Sequence, residues 1–549
     1  MATTEVSHSV EAGKLSTDHQ DSKSLHDVHD EERIHGYSIR AQLEGWHANR
    51  GNKSIARAII PPWCPEKDEP TEKNPLKFLR QLTWLNWAMF FCGWWAWTCD
   101  GFDYFAVSVT LSEMGKEFGK SDSQMSFAIT LTLLFRSLGA LIFGVLADRF
   151  GRKWTLVGNM LIIAAFQLGS GFVTNYAEFL GVRAIFGIAM GGVWGQAAAT
   201  SLENVPAASR GFFSGIVQQG YTIGYLMAAV INMTVGSYSR PRWRSLYFIG
   251  AGFSVSAALF RMCLPESEQF VRARQLQQDS GVRVTGRQAA RHFFREVGHM
   301  LRSNWIRCIW AICIMTGMNF FSHGSQDLYP TYLTKSKGLS KHSESVAVII
   351  SNCGAIAGGL FGGYISQIIG RRWTIILLCL WTACWIPLWI IPNDFPGLAA
   401  GGFFVQSGVQ GAWGVIPIYL SEVSPPAFRA SFAGLAYQLG NMASSGAAQI
   451  EADAGQTLRK YVNGKSLPDY ATIFGILLGV IIAWLIIWTF LGPDADGALF
   501  EEAKVATEAG AGDTVAGEST LRRRSTVVPD REFHDKSTRE HAETRPEIV

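Results

Sequence analysis

Residues Asn319 to Thr331 read NFFSHGSQDLYPT, a polar series inside a segment that is otherwise apolar. On a helix of 3.6 residues per turn, Asn319, Ser322, His323, Gln326, Asp327 and Thr331 share one face, with Ser325 off it. Phe320, Phe321, Gly324 and Leu328 take the other side. Polar groups at membrane depth are functional by default, and the chemistry of this face is that of protons and anions. His323 and Asp327 stand one turn apart. An ionised Asp327 favours a protonated His323, a dry site disfavours separated charge, and the two titrate together. Imidazole titrates between the pH of an acidic medium and that of a near-neutral cytoplasm. Asn319, Ser322, Gln326 and Thr331 offer hydrogen bonds to a carboxylate and to a hydroxyl or keto oxygen.

Other segments carry matching chemistry. Arg136, in TLLFRSLGA, falls near the middle of an apolar stretch, where an unpaired charge costs at least about 2.5 kcal/mol. Its planar fork suits a carboxylate ligand, and it equally suits a static pair with Asp100 or Asp103 of WTCDGFDYF. The two aspartates accordingly hold either a transported proton or that pair. Gln219, Tyr221 and Thr222 in QQGYTIGY, and Gln438 and Asn441 in YQLGNMAS, are either clamps between helices or ligand contacts; contact is the favoured reading for Gln438 and Asn441. Pro330 removes a backbone donor and is expected to kink its helix.

These segments must be held by membrane-spanning helices. Nearly half of the 549 residues are hydrophobic and only 17% are charged, so the chain reads as an all-α, polytopic membrane protein. Each crossing needs roughly 20 apolar residues. Twelve candidate spans start near residues 84, 124, 153, 177, 207, 244, 305, 343, 372, 396, 426 and 470. The expected organisation is a polar tail (1–80), a six-helix bundle (81–264), a central loop (265–303), a second bundle (304–492) and a second tail (493–549). The tails read as disordered cytoplasmic segments, rich in Ser and Thr, with Lys504 and Lys536 as candidate sites for trafficking or ubiquitylation machinery. The loops with Arg149, Arg152 and Lys153, with Arg371 and Arg372, and with the arginines between Arg261 and Arg307 share one side, cytoplasmic by the positive-inside rule. Lys335, Lys337, Lys341 and Arg240, Arg242 and Arg244 fall on the other side, either as tolerated departures or as an attractor of anions. The nine cysteines make no CxxC and no metal-ligand spacing, and no GxxxxGK[ST] phosphate loop occurs. Transport is therefore expected, with no enzymatic chemistry, no cofactor or metal and no nucleic-acid partner.

A single offset, 219, relates the two halves without a gap. GVLADRFGRK, with Gly144, Gly151, Arg152 and Lys153, maps onto GGYISQIIGRR, with Gly363, Gly370, Arg371 and Arg372. Trp194, Glu203, Pro206, Arg210, Gly215 and Gln219 map onto Trp413, Glu422, Pro425, Arg429, Gly434 and Gln438. The same offset sets Asp100 against Asn319 and Asp103 against Ser322. A parallel repeat of six spans places a binding site near the midplane between the halves. Asp148, Arg149, Arg152, Glu203, Arg210, Glu422 and Arg429 fall at cytoplasmic helix ends, where charge pairs would close an inner gate. Gln367 and Ile368 replace Asp148 and Arg149 in the second half, which makes that network lopsided.

The repeat, GVLADRFGRK and the RxxxGxxxG of Arg183, Gly187 and Gly191 resemble the major facilitator superfamily. The helix-7 string resembles the NxxSHxSQDxxxT signature of fungal Jen-type lactate and pyruvate permeases, with every fixed position filled, and the FRSLGA segment resembles the wider sialate:proton symporter group. That resemblance, over about residues 80 to 492, implies proton-coupled uptake of short carboxylates at the plasma membrane. It also implies a substrate path through Asn319, His323 and Asp327, with Arg136, Gln438 and Asn441, and more loosely Tyr221 and Thr222. No residue settles monocarboxylate against dicarboxylate; a sugar acid, or a nutrient sensor that does not transport, are the rival readings.

Overall fold

The computed structural model describes residues 82–202, 205, 209–236, 242–266, 271, 295, 297–424, 429–462 and 465–493. The expected tails, Glu203 and nearly all of the central loop lie outside the described residues. The first half comprises α1 (Trp84–Phe118), α2 (Asp122–Phe150), α3 (Arg152–Phe172), α4 (Tyr176–Gly191) with α5 (Val193–Leu202) continuing it, α6 (Arg210–Ile231) and α7 (Arg244–Cys263). The second comprises α8 (Trp305–Gln326) with α9 (Tyr329–Lys335), α10 (Lys341–Ile369), α11 (Arg371–Ile390), α12 (Phe395–Val423), α13 (Arg429–Ser444) with α14 (Ala447–Thr457), and α15 (Tyr470–Phe490). Taken in this order they form the twelve spans read from the sequence.

Eight of these spans, among the described residues, are long and apolar enough to cross a bilayer by composition alone. The other four, α1, α6, α12 and α13 with α14, carry the polar residues singled out above or others such as Gln406 and Glu451. They pass no apolarity test because protein surrounds them: Asp100, Asp103, Gln219, Gln406, Gln438 and Glu451 are all buried. The lipid-facing surface is instead apolar, with Leu138, Leu141, Phe361, Ile476, Val480 and Ile487 exposed.

Glycine sets how closely the spans approach, and it does so identically in both halves. A Cβ at Gly139 of α2 would lie 1.8 Å from the Ile188 carbonyl oxygen of α4; at Gly358 of α10 it would lie 1.9 Å from that of Ser407 on α12. These two contacts are the same contact at the repeat offset, and only a missing side chain lets backbones meet this way. Gly151 and Gly370, another equivalent pair, both turn the chain at φ 93°, a region that disfavours L side chains. Of the six helices that begin at the opposite end, all but α7 start on polar caps: Ser121 with Gln124 in a reciprocal capping box, Asn175, Ser340, Asp394 and Asp469.

One feature departs from the all-helical expectation, and another is the kink expected at Pro330. Between α14 and α15 the chain makes a small antiparallel hairpin, β1 (Arg459–Val462) and β2 (Lys465–Pro468), in register Arg459 to Pro468. The Asn463-Gly464 dipeptide between them is a strong two-residue turn signal that the helical reading passed over. The seventh span is also two helices, parted at Asp327 and Leu328. The break precedes Pro330 because its ring and missing N–H disturb the turn before it.

Gly358→Ala must force α10 from α12, and is expected to cost about 1–3 kcal/mol. Gly144→Ala, with nothing within 4 Å of the added methyl, serves as the control. Thermal midpoints of the purified proteins in detergent check this, and equal midpoints would contradict it.

Candidate functional site

The charged centre lies in the first half. Arg136 Nη2 donates to Asp100 Oδ2 at 2.6 Å, with both side chains fully buried. This is a single bond, not a fork: Arg136 Nε and Nη1 and Asp100 Oδ1 have no hydrogen-bond partner. Asp103 does not join the pair. It accepts from Ser254 of α7 at 2.9 Å and lies against Gly250, inside the first bundle. Around Arg136 stand Tyr104, Tyr221 and Tyr437 as electrostatic neighbours. Trp97 stacks on Tyr221 with ring centroids 4.9 Å apart, and Trp194 on Tyr437 at 4.6 Å. The indole N–H groups of Trp97 and Trp194 and the Tyr221 and Thr222 hydroxyls are also unpartnered.

The polar stripe, on α8 and α9, splits into four sets. Asn319 donates to the backbone carbonyls of Met315 and Tyr437, at 2.8 and 3.4 Å. Ser322 and Gln326 bond each other, and Gln326 Nε2 reaches Gln406 Oε1 of α12 at 2.7 Å, a partner the sequence reading did not single out. His323 and Asp327 face the first half. The Tyr104 hydroxyl donates to Asp327 Oδ2 at 2.9 Å and stands 3.1 Å from His323 Nδ1, which is itself 3.1 Å from Asp327 Oδ2. Thr331 falls beyond the break, buried on α9.

On the far side of the imidazole a chain of amides has its direction fixed by a backbone group. The Gly191 carbonyl can only accept, so Gln438 points Nε2 at it, 3.3 Å away. Gln438 Oε1 then accepts from Asn441 Nδ2 at 2.9 Å, which turns Asn441 Oδ1 to His323 Nε2 at 3.1 Å. His323 Nε2 must therefore carry a proton. The Tyr104 hydroxyl can donate to Asp327 Oδ2 or to His323 Nδ1, and its oxygen can accept in turn. Tyr104 is thus a switchable bridge between His323 and Asp327.

Tyr104 escaped the sequence reading, yet it is the repeat equivalent of His323. Ser108, which donates to the Asp327 carbonyl at 2.6 Å, is likewise the equivalent of Asp327. Equivalent residues touch only on the axis that relates the halves, so these contacts mark that axis.

Contacts between the halves enclose the stripe from both ends. At the end carrying the polar caps, Lys335 is ion-paired with Asp122, Lys341 donates to the Val109 carbonyl at 3.3 Å, Ser123 meets Asp453 at 2.5 Å and Ser126 meets Gln449 at 3.0 Å. The lysines of this end are therefore engaged in contacts, and Arg244 is bridged to Glu117 at 2.7 Å. At the end of the basic loops, Ser214 donates to the Gly414 carbonyl at 3.0 Å, and Gly211 packs on Gln367 and Arg371. Of the residues expected to gate there, Glu422 is gripped by Arg371 Nε and Nη2 at 3.1 and 2.9 Å, within the second half. Arg210 Nε donates to the Val205 carbonyl at 3.0 Å. Arg152 starts α3, Asp148 and Arg149 close α2, and Arg429 opens α13. Glu203 is outside the described residues.

Two repeats of six spans meeting on an axis lined with polar groups are the architecture of a membrane transporter. The Major Facilitator Superfamily model matches residues 93–340 and 328–527, and the chain belongs to that family. A Saccharomyces cerevisiae "Carboxylic acid transporter protein homolog" is 33% identical over 77% of this chain and 70% of its own. The "Sialic acid transporter NanX" of Escherichia coli is 25% identical over 64% and 82%. The solved proton:xylose symporter XylE from E. coli superposes with a TM-score of 0.60 over 76% of this chain and 98% of its own, at 18% identity, a likeness of fold.

Removing one member of the buried ion pair strands a charge. Arg136→Leu alone is expected to lower stability by about 3–5 kcal/mol, whereas Arg136→Leu with Asp100→Leu recovers most of the loss. Thermal unfolding in detergent measures both, and a double variant no more stable than the single one would contradict the pairing.

Proposed function

We propose that this transporter carries short monocarboxylates, such as lactate and pyruvate, into the cell together with a proton, across the plasma membrane and with both termini cytoplasmic. The observation that carries the reading is the conjunction of Arg136, holding two unpartnered N–H donors, with the proton-bearing bridge of His323, Tyr104 and Asp327. A carboxylate that reaches the free Nη1 or Nε of Arg136 gains a charge-assisted hydrogen bond without breaking the bond to Asp100. Trp97, Tyr221 and Thr222 offer further donors to its second oxygenated group. The added negative charge favours the imidazolium form of His323, so anion and proton support each other's binding. The name of the yeast relative supports a carboxylic acid cargo.

Alternating access follows from the contacts at the two ends. Opening toward the medium breaks Lys335–Asp122 and the Ser123, Ser126, Gln449 and Asp453 cluster. Opening toward the cytoplasm parts α6 from α10 and α12, with Arg152, Glu203 and Arg210 in one half and the Arg371–Glu422 pair in the other as the closing groups.

A second reading rests on the aromatic walls beside Arg136. Trp97 against Tyr221 and Trp194 against Tyr437 suit a planar, unsaturated acid, and the "Cis,cis-muconate transport protein" of Acinetobacter baylyi is 25% identical over 63% of this chain. Competition of lactate uptake by succinate, muconate and nicotinate separates the two cargo classes.

Uptake of labelled lactate by cells lacking other permeases is expected to rise several-fold as external pH falls from about 7.5 to 5 through the histidine range, and to collapse with a protonophore. Uptake indifferent to both would rule out proton coupling. Arg136→Lys keeps the charge but loses the fork, and is expected to raise KM about tenfold or more at normal surface expression. His323→Ala or Asp327→Asn is expected to abolish the pH-dependent component, and wild-type rates would remove the stripe from the mechanism.

A further inference from the structure

Glu451 is a second carboxyl at this site that no stripe, motif or repeat singled out. It lies on α14, fully buried, and neither of its oxygens has a hydrogen-bond partner. It sits behind α8, on the side away from the stripe: Glu451 Oε1 is 3.3 Å from the position a Cβ would take on Gly324, beside Leu477 of α15. A side chain at residue 324 would crowd that carboxyl. Its electrostatic neighbour is Asp327, whose Oδ1 is also unpartnered.

Among the described residues, no cation on the packed elements is paired with it. On α2, Asp122 is bridged to Lys335 and Arg136 to Asp100, with Asp148 and Arg149 at the far end. On α8, Arg307 reaches the Val423 carbonyl at the other end of the helix, near Cys308 and with Cys313 a turn further on, and His323 is held by Tyr104 and Asn441. On α15, Asp469 caps the first turn through Thr472, and Tyr470 packs on Gly455. Lys465 lies on β2, and Asp453 of α14 itself holds Ser123 and Gln449.

An isolated carboxylate in such surroundings is too costly to persist, and a second carboxyl nearby, Asp327, adds to the cost of ionising Glu451. We propose that Glu451 is a proton-carrying residue of the transport cycle, sharing a proton with Asp327. In the closed form the Glu451 carboxyl holds the proton. When α14 parts from Ser123 and Ser126 of α2, water reaches it. The proton then leaves the Glu451 oxygen for Asp327 Oδ1, leaving a carboxylate at Glu451 that takes a replacement from the medium. The stretch from Asp453 through Glu451 to Asp327 and His323 thus runs from the capped end to the stripe.

This rests on the proton-coupled reading, and the test keeps the two apart. Lactate uptake by Glu451→Gln and Glu451→Asp is measured from pH 5 to 7.5 beside the wild type, with surface protein quantified. The expected result is a pH slope flattened at least threefold in the Gln variant and restored in the Asp variant, whereas a packing defect would scale the rate equally at every pH. A wild type without slope refutes proton coupling itself; a Gln variant with the full wild-type slope overturns only the role of Glu451. Should the Gln variant fail to reach the membrane, dicyclohexylcarbodiimide, which modifies protonated carboxyls in apolar surroundings, decides on the wild-type protein. An adduct mapped to Glu451 by mass spectrometry at pH 7 supports the proposal, and its peptide recovered unmodified overturns it.

Discussion

One ion pair, Arg136 with Asp100, constrains the centre of the molecule. Both side chains have zero exposure, and the cost of bringing two charges out of water is repaid only by close geometry. That geometry requires α1 and α2 to hold fixed relative positions. It also draws in α4, because a Cβ at Gly191 would lie 1.9 Å from the Arg136 carbonyl oxygen. The Gly191 carbonyl in turn orients Gln438, and through Asn441 it sets the proton on His323 Nε2. A charge in the first half and a protonation state in the second are thereby joined through one glycine.

The two repeats have kept their packing and diverged in chemistry. Gly139 and Gly358 make the same close approach, and Gly151 and Gly370 the same turn. At the axis the partners differ: Asp100 against Asn319, Tyr104 against His323, Ser108 against Asp327. A site built from identical halves would offer like charges to each other, since symmetry repeats every group. Replacing one member of each pair leaves the cation in one half and the titrating pair in the other, with Tyr104 between them.

How far the sequence carried this picture depended on whether a feature is local. The polar face of α8, the starts of the spans and the repeat are periodic signals along one strand of text, and the helices begin within about three residues of the expected positions. Contacts between helices left fainter traces. Tyr104 had a signal, its offset to His323, that went unused because tyrosine is common in apolar helices. Gln406 and Glu451 had none, because neither belongs to a polar row long enough to show periodicity. The break at Asp327 meets the kink expected from Pro330, whereas the β1–β2 hairpin, signalled only by the Asn463-Gly464 dipeptide, was outweighed by the strong apolar period around it.

The strength of each contact indicates which parts move. Exposed ion pairs contribute about 0–1 kcal/mol, and the Lys335–Asp122 bridge is partly exposed, with Lys335 at 42% and Asp122 buried. The contacts of Ser123 with Asp453 and of Lys341 with Val109 are of similar exposed or half-buried character. Within each half, by contrast, the glycine approaches bring backbone to backbone over several turns, and the Arg136–Asp100 pair is dry. On the proposed cycle, such halves move as rigid bodies and separate where their joint is weakest, at the solvent-exposed rim. Tyr104 and His323 sit on the axis of that motion, where displacement is smallest. On the proposed cycle, the hydrogen bonds that carry the proton there are those least stretched when either end opens.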